Sequence, residues 1–256
     1  MELKTRAYPK VNIGLYIGRK TEQGFHNLVS IFQKIDCVYD DIAVSFEKAG
    51  KTSIRVRGLE DCADSEKNTC YDVARLFLEK SGINAEVCIG IEKRIPVKAG
   101  IGGGSSDAAS VLLALQELAG KPLGMQDLMD CAATVGSDVP FFMQDSRAAF
   151  VSGRGQIIHP IKARTDLEFA LYKSPVPKEG TAKAYAILDA SGLREELPSE
   201  EELVLMYNRP VSQWRFENDF ERLSRKPSGV DEKEGRLYMS GAGDTWYLVT
   251  DNGNAL

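Results

Sequence analysis

From Lys10 to Ile17 apolar and polar positions alternate: Val11, Ile13, Leu15 and Ile17 interleave with Lys10, Asn12, Gly14 and Tyr16. A period of two belongs to a strand with one buried face, which predicts that Lys10 and Asn12 point away from the core. Further strands are predicted at Leu28 to Ile35, around Ile42, Val44 and Phe46, and through Ala85, Val87, Ile89 and Ile91. Between the last two, Val73, Ala74, Phe77 and Leu78 recur at helical spacing, with Asn68 placed to cap the start and Gly82 to stop the end. Strand and helix signals mix in an α+β pattern.

The sharpest local signal is the run from Gly100 through Gly102, Gly103 and Gly104 to Ser105, Ser106 and Asp107, followed by AASVLLALQELAG. Ser105 or Ser106 is expected to cap, Asp107 to sit in the first turn, Leu112, Leu115 and Leu118 to share a face, and Gly120 to end the helix. A second helix, Met125 to Val135, is expected to bury Leu128, Met129 and Ala132 and to stop at Gly136. The turn Ser152-Gly153-Arg154-Gly155 marks a hairpin or a domain edge, which places a boundary near residue 156. Beyond it come a strand through Leu167, Phe169 and Leu171, a helix over Thr181 to Leu188, and a loop and helix start over Glu195 to Glu202. Two strands are expected from Leu237 to Val249, around the turn at Ser240, Gly241, Ala242 and Gly243.

Composition narrows the class. With 43% hydrophobic and 27% charged residues, the 256-residue chain is neither disordered nor of low complexity. Its formal charge of −5 argues against a general electrostatic grip on nucleic acid or an anionic membrane, so an anionic ligand must be held at a local site. Five scattered cysteines without a CxxC pair read as reduced, buried thiols, and with no apolar leader the chain reads as a soluble cytoplasmic protein. Two histidines, His26 and His159, far apart in the chain, argue against a histidine-rich metal site.

A glycine run entering a helix directs unhindered backbone N–H groups and the helix dipole at an anion, and phosphate is the natural guest. The familiar phosphate motifs do not match. Gly50-Lys51-Thr52 has Ser45 where a Walker A loop needs its first glycine, and Ser105 stands where a dinucleotide fingerprint needs its third. A nucleophile elbow fails because Asp107 follows Gly103 and Ser105 in the place of its second glycine. Asp138, before Val139-Pro140, is suited to an N-cap; the same carboxylate facing a phosphate loop could accept a hydroxyl proton. His159 reads as a strand-end residue. His26, in the polar aromatic loop Gly24-Phe25-His26-Asn27, could cap backbone or read a ligand.

The segments YPKVNIGLYIGRKTEQGFHNL, IPVKAGIGGGSSDAASVLLAL, GSDVPFF with AAFVSGRGQ, Asn218-Asp219-Phe220-Glu221 and SGAG occur in this order along nearly the whole chain. Together they resemble the GHMP kinase superfamily, and within it the branch acting on a cytidine diphosphate-linked methylerythritol (CDP-methylerythritol) in non-mevalonate isoprenoid synthesis. The resemblance implies a two-domain α+β fold: a ribosomal protein S5 domain 2-like ATP-binding domain over residues 1–156 and a ferredoxin-like substrate-side domain over 157–256. It implies an ATP loop, Pro96-Val97-Lys98-Ala99-Gly100-Ile101-Gly102-Gly103-Gly104-Ser105-Ser106, extended by Asp107, with Asn68 near the adenine. Asp138 would be the catalytic base, with Lys10 orienting it and the substrate hydroxyl. Asn12, His26 and Thr181 would belong to the substrate pocket, with Phe25 and Tyr185 sandwiching the cytosine.

ATP is the implied co-substrate, with Mg²⁺ on its phosphates, and the assembly a monomer or weak homodimer. Three departures stand out: Phe25 for the usual tyrosine, Gln23 for the usual aspartate, and Lys98 for a frequent glycine. Two rival readings stay open, another GHMP kinase of the homoserine or mevalonate type and a catalytically idle nucleotide-binding module.

Overall fold

The computed structural model describes residues 1–22, 24–58, 68–175, 180–191, 194–233, 235–242 and 245–251. They form two units. One consists of Met1–Pro9, Val38–Val97 and Gly102–Asp145; the other consists of Lys10–Cys37, Lys98–Ile101 and Ser146–Leu256.

In the first unit, strands β1 (Glu2–Ala7), β4 (Asp40–Lys48), β5 (Ser53–Arg57) and β6 (Ala85–Glu92) make a sheet of order β1-β4-β6-β5, antiparallel except for the parallel pair β5 and β6. The expected alternation holds in β4 and β6: Ile42, Val44, Phe46, Ala85, Val87, Ile89 and Ile91 are all buried. Helices α1 (Thr69–Ser81) and α2 (Gly103–Leu118) pack on this sheet, joined by α3 (Met125–Val135) and the short α4 (Val139–Phe142). The α1 start is as expected, the Asn68 side chain accepting from the Cys70 N–H at 2.7 Å, and Gly82 closes the helix in the left-handed region. Strands β1 and β5 escape sequence reading because they are polar edge strands with little inward-facing apolar surface.

The second unit holds two antiparallel sheets. In one, β2 (Lys10–Lys20), β3 (His26–Lys34), β7 (Ala148–Ser152) and β8 (Ile157–Ile161) lie in the order β2-β3-β7-β8; the other is β10 (Arg236–Ser240), β11 (Thr245–Asp251) and β9 (Leu167–Lys173). The turn Ser152 to Gly155 is indeed a hairpin, between β7 and β8. Helices α5 (Thr181–Ser191) and α6 (Glu200–Tyr207) follow β9, the latter started by a full capping box between Ser199 and Glu202. Leu15, Ile17, Leu188, Phe220, Met239 and Trp246 form one core cluster. Because β2 pairs with β3 and β3 with β7, early and late stretches of chain share this unit, and no single cut along the sequence separates the two units.

Several expectations need correction. Strand β2 is buried on both faces, so Lys10 and Asn12, each 3% exposed, are interior rather than outward-facing. The start of α2 is capped by neither serine: Gly102 is the N-cap, Ser105 and Ser106 lie inside the first turn, and Asp107 falls beyond it as the fifth helical residue. In α3, Cys131 takes the buried place expected for Met129. His26 opens β3 instead of lying in a loop, and His159 sits within β8, exposed, its Nδ1 2.7 Å from Glu200 Oε2. Four cysteines are free; Cys70 and Cys131 are buried as expected, whereas Cys37 is exposed and Cys88 half-buried. Cys62, Gln23 and Gly243 lie outside the described residues. Among the described residues, no helix is long and apolar enough to cross a membrane.

The turn after β10 depends on a close approach that excludes any side chain. Gly241 has φ +58°, and a Cβ there would lie 2.6 Å from Gly100 O and 3.1 Å from Gly100 Cα. Gly241→Ala therefore adds left-handed strain to a backbone clash and is expected to destabilise the protein by about 2 kcal/mol or more. Urea denaturation checks this, an unchanged midpoint being the contrary result.

Candidate active site

In the first unit, helix starts converge. Gly102, at φ 71°, enters α2 with no side-chain cap, which leaves the N–H groups of Gly103, Gly104 and Ser105 without intrahelical acceptors. The start of α1 is tied alongside, Thr69 Oγ1 donating to Gly104 O at 3.1 Å. The approach to α4 lies against the same turn: a Cβ on Gly136 would be 3.9 Å from Ser105 Oγ. Asp138 occupies the N-cap position of α4, but its backbone is helical (φ −86°, ψ −18°) and its side chain makes no capping bond. The capping role that local sequence favoured is therefore not what holds this carboxylate. Two helix starts and an uncapped glycine turn thus lie side by side, with the segment bearing Asp138 against them, a setting in which backbone amides and helix dipoles favour an anion.

Beneath that turn is a buried charge cluster not anticipated from the sequence. Lys93 Nζ donates to Asp40 Oδ2 and Asp107 Oδ2, both at 2.6 Å, and Asp40 Oδ1 also accepts the N–H groups of Arg94 (2.5 Å) and Ile95 (2.8 Å). Among the described residues, Asp107 Oδ1 has no hydrogen-bond partner. Burial pushes the Asp107 carboxyl up to about 7, against the pull of Lys93 and helped by the second carboxylate, Asp40. For Lys93 burial works downward, but Asp107 and Asp40 outweigh it and raise its pKa. A signal for the cluster was available: Asp40 shares strand parity with Ile42, Val44 and Phe46, and Lys93 continues the parity of Val87, Ile89 and Ile91.

The intervening loop carries strain. Lys98 adopts φ 59°, which for an L-residue costs about 1–2 kcal/mol. Ala99 and Ile101 are buried, while Pro96, Val97 and Lys98 are exposed.

In the second unit, Lys10 and Asn12 open β2 within a dense polar network. Lys10 Nζ donates to Asn12 Oδ1 at 2.6 Å and lies 4.2 Å from the centre of the Phe32 ring. Asn12 Nδ2 donates to Ser30 Oγ, the Asn12 N–H to Ser240 Oγ, and Tyr247 Oη to Asn12 O. Ser240, from the late glycine turn, is thus part of the setting of Asn12. At the other end of β2 a cavity of about 500 Å³ is lined by Phe25, His26, Arg154, Tyr185, Lys20 and Asp189, among others. Phe25 is 44% exposed there. The His26 ring stacks on Tyr185 with centroids 5.1 Å apart and Tyr185 meets Phe220 edge-on. His26 Nδ1 donates to Gly18 O at 2.9 Å, while Nε2, 3.0 Å from Asp189 Oδ1, points off the hydrogen-bonding direction. Three of the expected substrate residues, Phe25, His26 and Tyr185, therefore line one cavity. Asn12 does not line it, and the side chain of Thr181 lies outside the described residues. Lys20, Arg154 and Asp189 were missed.

The fold is that of a GHMP-type kinase. Residues 68–146 match the GHMP kinases N terminal domain. The chain belongs to the family of 4-diphosphocytidyl-2-C-methyl-D-erythritol kinases. It is 32% identical over 251 residues to the enzyme of that name from Thermodesulfovibrio yellowstonii, covering 94% of this chain and 84% of that protein. It is 37% identical over 191 residues to that of Geobacter metallireducens, covering 74% of this chain and 66% of that protein. A crystal structure of 4-(cytidine 5'-diphospho)-2C-methyl-D-erythritol kinase superposes with a TM-score of 0.74 at 29% identity, covering 96% of this chain and 89% of the other. A homoserine kinase from Cytophaga hutchinsonii shares the fold, with a TM-score of 0.66 at 16% identity and coverage of 99% and 86%.

The charge cluster gives a signed pH prediction. Asp107 binds its proton more tightly folded than unfolded, so its contribution to stability is complete below pH ~4 and is lost as pH rises through about 7. Asp107→Asn should flatten that decline by up to a few kcal/mol. Urea midpoints measured across this range check it; parallel wild-type and variant curves would contradict it.

Proposed function

We propose that the protein transfers the γ-phosphoryl group of ATP to the 2-hydroxyl of 4-diphosphocytidyl-2-C-methyl-D-erythritol. The observation that carries this reading is the uncapped glycine start of α2, with the α1 start and the Asp138 segment against it. The cytidine half rests on the cavity lined by Phe25, His26 and Tyr185 and on the named relatives. Along the sequence we assign ATP binding and catalysis to residues 1–156, which also supply Phe25 and His26 to the cavity, and the rest of the substrate side, with Tyr185, to 157–256.

In this reading the amides of Gly103 to Ser105 hold phosphate oxygens and Asn68 lies near the adenine, in addition to capping α1. The substrate oxygen attacks the γ-phosphorus, Asp138 takes its proton, the bond to the β-phosphate oxygen breaks and ADP leaves. Lys10 supplies the cation that favours the ionised acid and orients the hydroxyl, and its bond to Asn12 fixes its position. Among the described residues no three His, Cys, Asp or Glu side chains form a metal cage. Mg²⁺ prefers phosphates, waters and one or two carboxylates, so it fits this chain as a companion of the nucleotide. When bound, it neutralises phosphate charge.

Asp138→Asn is expected to lower turnover by about 10²- to 10⁴-fold in a coupled ADP assay, and near-normal turnover would remove Asp138 as the base. Phe25→Ala and Tyr185→Ala should each weaken cytidine diphosphate binding in calorimetry. If neither does, the cytosine assignment fails and a small-alcohol kinase becomes the better reading.

A further inference from the structure

The cavity below Phe25 contains a cation that the proposed reading does not use. Arg154, at the tip of the β7–β8 hairpin, stacks its guanidinium 3.8 Å above the centre of the Phe25 ring. The tip is held on both sides: the Arg154 N–H donates to Gln156 Oε1 at 2.6 Å, and the neighbouring Gly153 O accepts the Leu28 N–H from β3 at 2.7 Å. The other charges of the cavity are spent on each other. Lys20 Nζ lies 2.5 Å from Asp189 Oδ2, and Asp189 Oδ1 faces His26. Arg154 has no carboxylate partner among the described residues, so the cavity presents one uncompensated guanidinium, fixed on an aromatic ring and open to solvent.

We propose that Arg154 is a specificity-determining residue that engages the diphosphate of a nucleoside diphosphate-linked substrate, selecting it over the bare nucleoside. This rests on the assignment of the cavity to the cytidine end of the substrate. A diphosphate is joined to its base by a single ribose, so a cation fixed beside the stacking ring is within the ligand's own length of the anion. The planar fork of arginine offers paired N–H donors to phosphate oxygens, which an ammonium cannot reproduce. Stacking on Phe25 orders the fork before the ligand arrives, which lowers the entropy cost of using it.

Calorimetric titration of the full chain with cytidine diphosphate, cytidine monophosphate and cytidine, at low and high salt, tests this. The wild type should prefer the diphosphate to the nucleoside, by a margin that shrinks with salt. Arg154→Ala should weaken the diphosphate by about tenfold while changing cytidine by less than about threefold, and Arg154→Lys should recover part of the loss. Equal losses for all three ligands would mean that Arg154 merely braces Phe25, and unchanged diphosphate affinity would mean that it does not touch the anion; either overturns the inference and leaves the proposed function standing. A wild type that binds none of the three would overturn the cytidine assignment itself. Normal Arg154→Ala circular dichroism and urea midpoint separate these outcomes from misfolding.

Discussion

The Lys93 ammonium, shared by two buried carboxylates, is the interaction on which the glycine turn at the start of α2 depends. Asp40 opens β4, Lys93 leaves β6 and Asp107 lies one turn into α2, so one cation fixes a strand, the exit of its neighbour and the helix that presents the glycine turn. Asp40 also takes two backbone N–H groups from the segment leading into the loop. The arrangement is costly, because two carboxylates leave water for one ammonium, and Asp107 answers by holding a proton more tightly. In return the uncapped amides are held open without a side chain of their own to steady them. A helix start left unsatisfied is a liability for stability and an asset for binding phosphate.

The second unit solves a related problem with neutral partners. Lys10 is placed in an interior strand, where an ammonium needs acceptors, and Asn12 supplies one while being anchored by Ser30, Ser240 and Tyr247. Every link in that chain fixes the next, so the ammonium sits in a preorganised position on a strand rather than on a loop. Near the other end of β2, exposed aromatic surface and a guanidinium line an open cavity, the combination suited to a flat base with an anionic tail.

Periodicity and cap chemistry carried much of the secondary structure. The α1 helix from Asn68 to Gly82, the α3 stop at Gly136 and the Ser152 to Gly155 hairpin were all legible, because each depends on residues adjacent in sequence. The start of α2 was misread by serine preference: both serines are good caps in isolation, but left-handed Gly102 enters the helix earlier and frees their neighbours' amides. The capping bond that local sequence favours for Asp138 is absent, since a local propensity for capping says nothing of what else competes for a carboxylate.

What the sequence determined by itself was chemistry and order: the glycine turn, the acid before Val139-Pro140, the lysine strand and the adjacent Phe25 and His26, each fixed by residue type and short spacing. Tertiary structure decided burial and partnership. It put Lys10 in an interior strand, joined Asp40, Lys93 and Asp107 across 67 positions of chain, and brought the hairpin tip with Arg154 onto Phe25. Such pairings follow from sheet order and helix packing, and a strand's own alternation carries no record of which distant segment will cover its polar face.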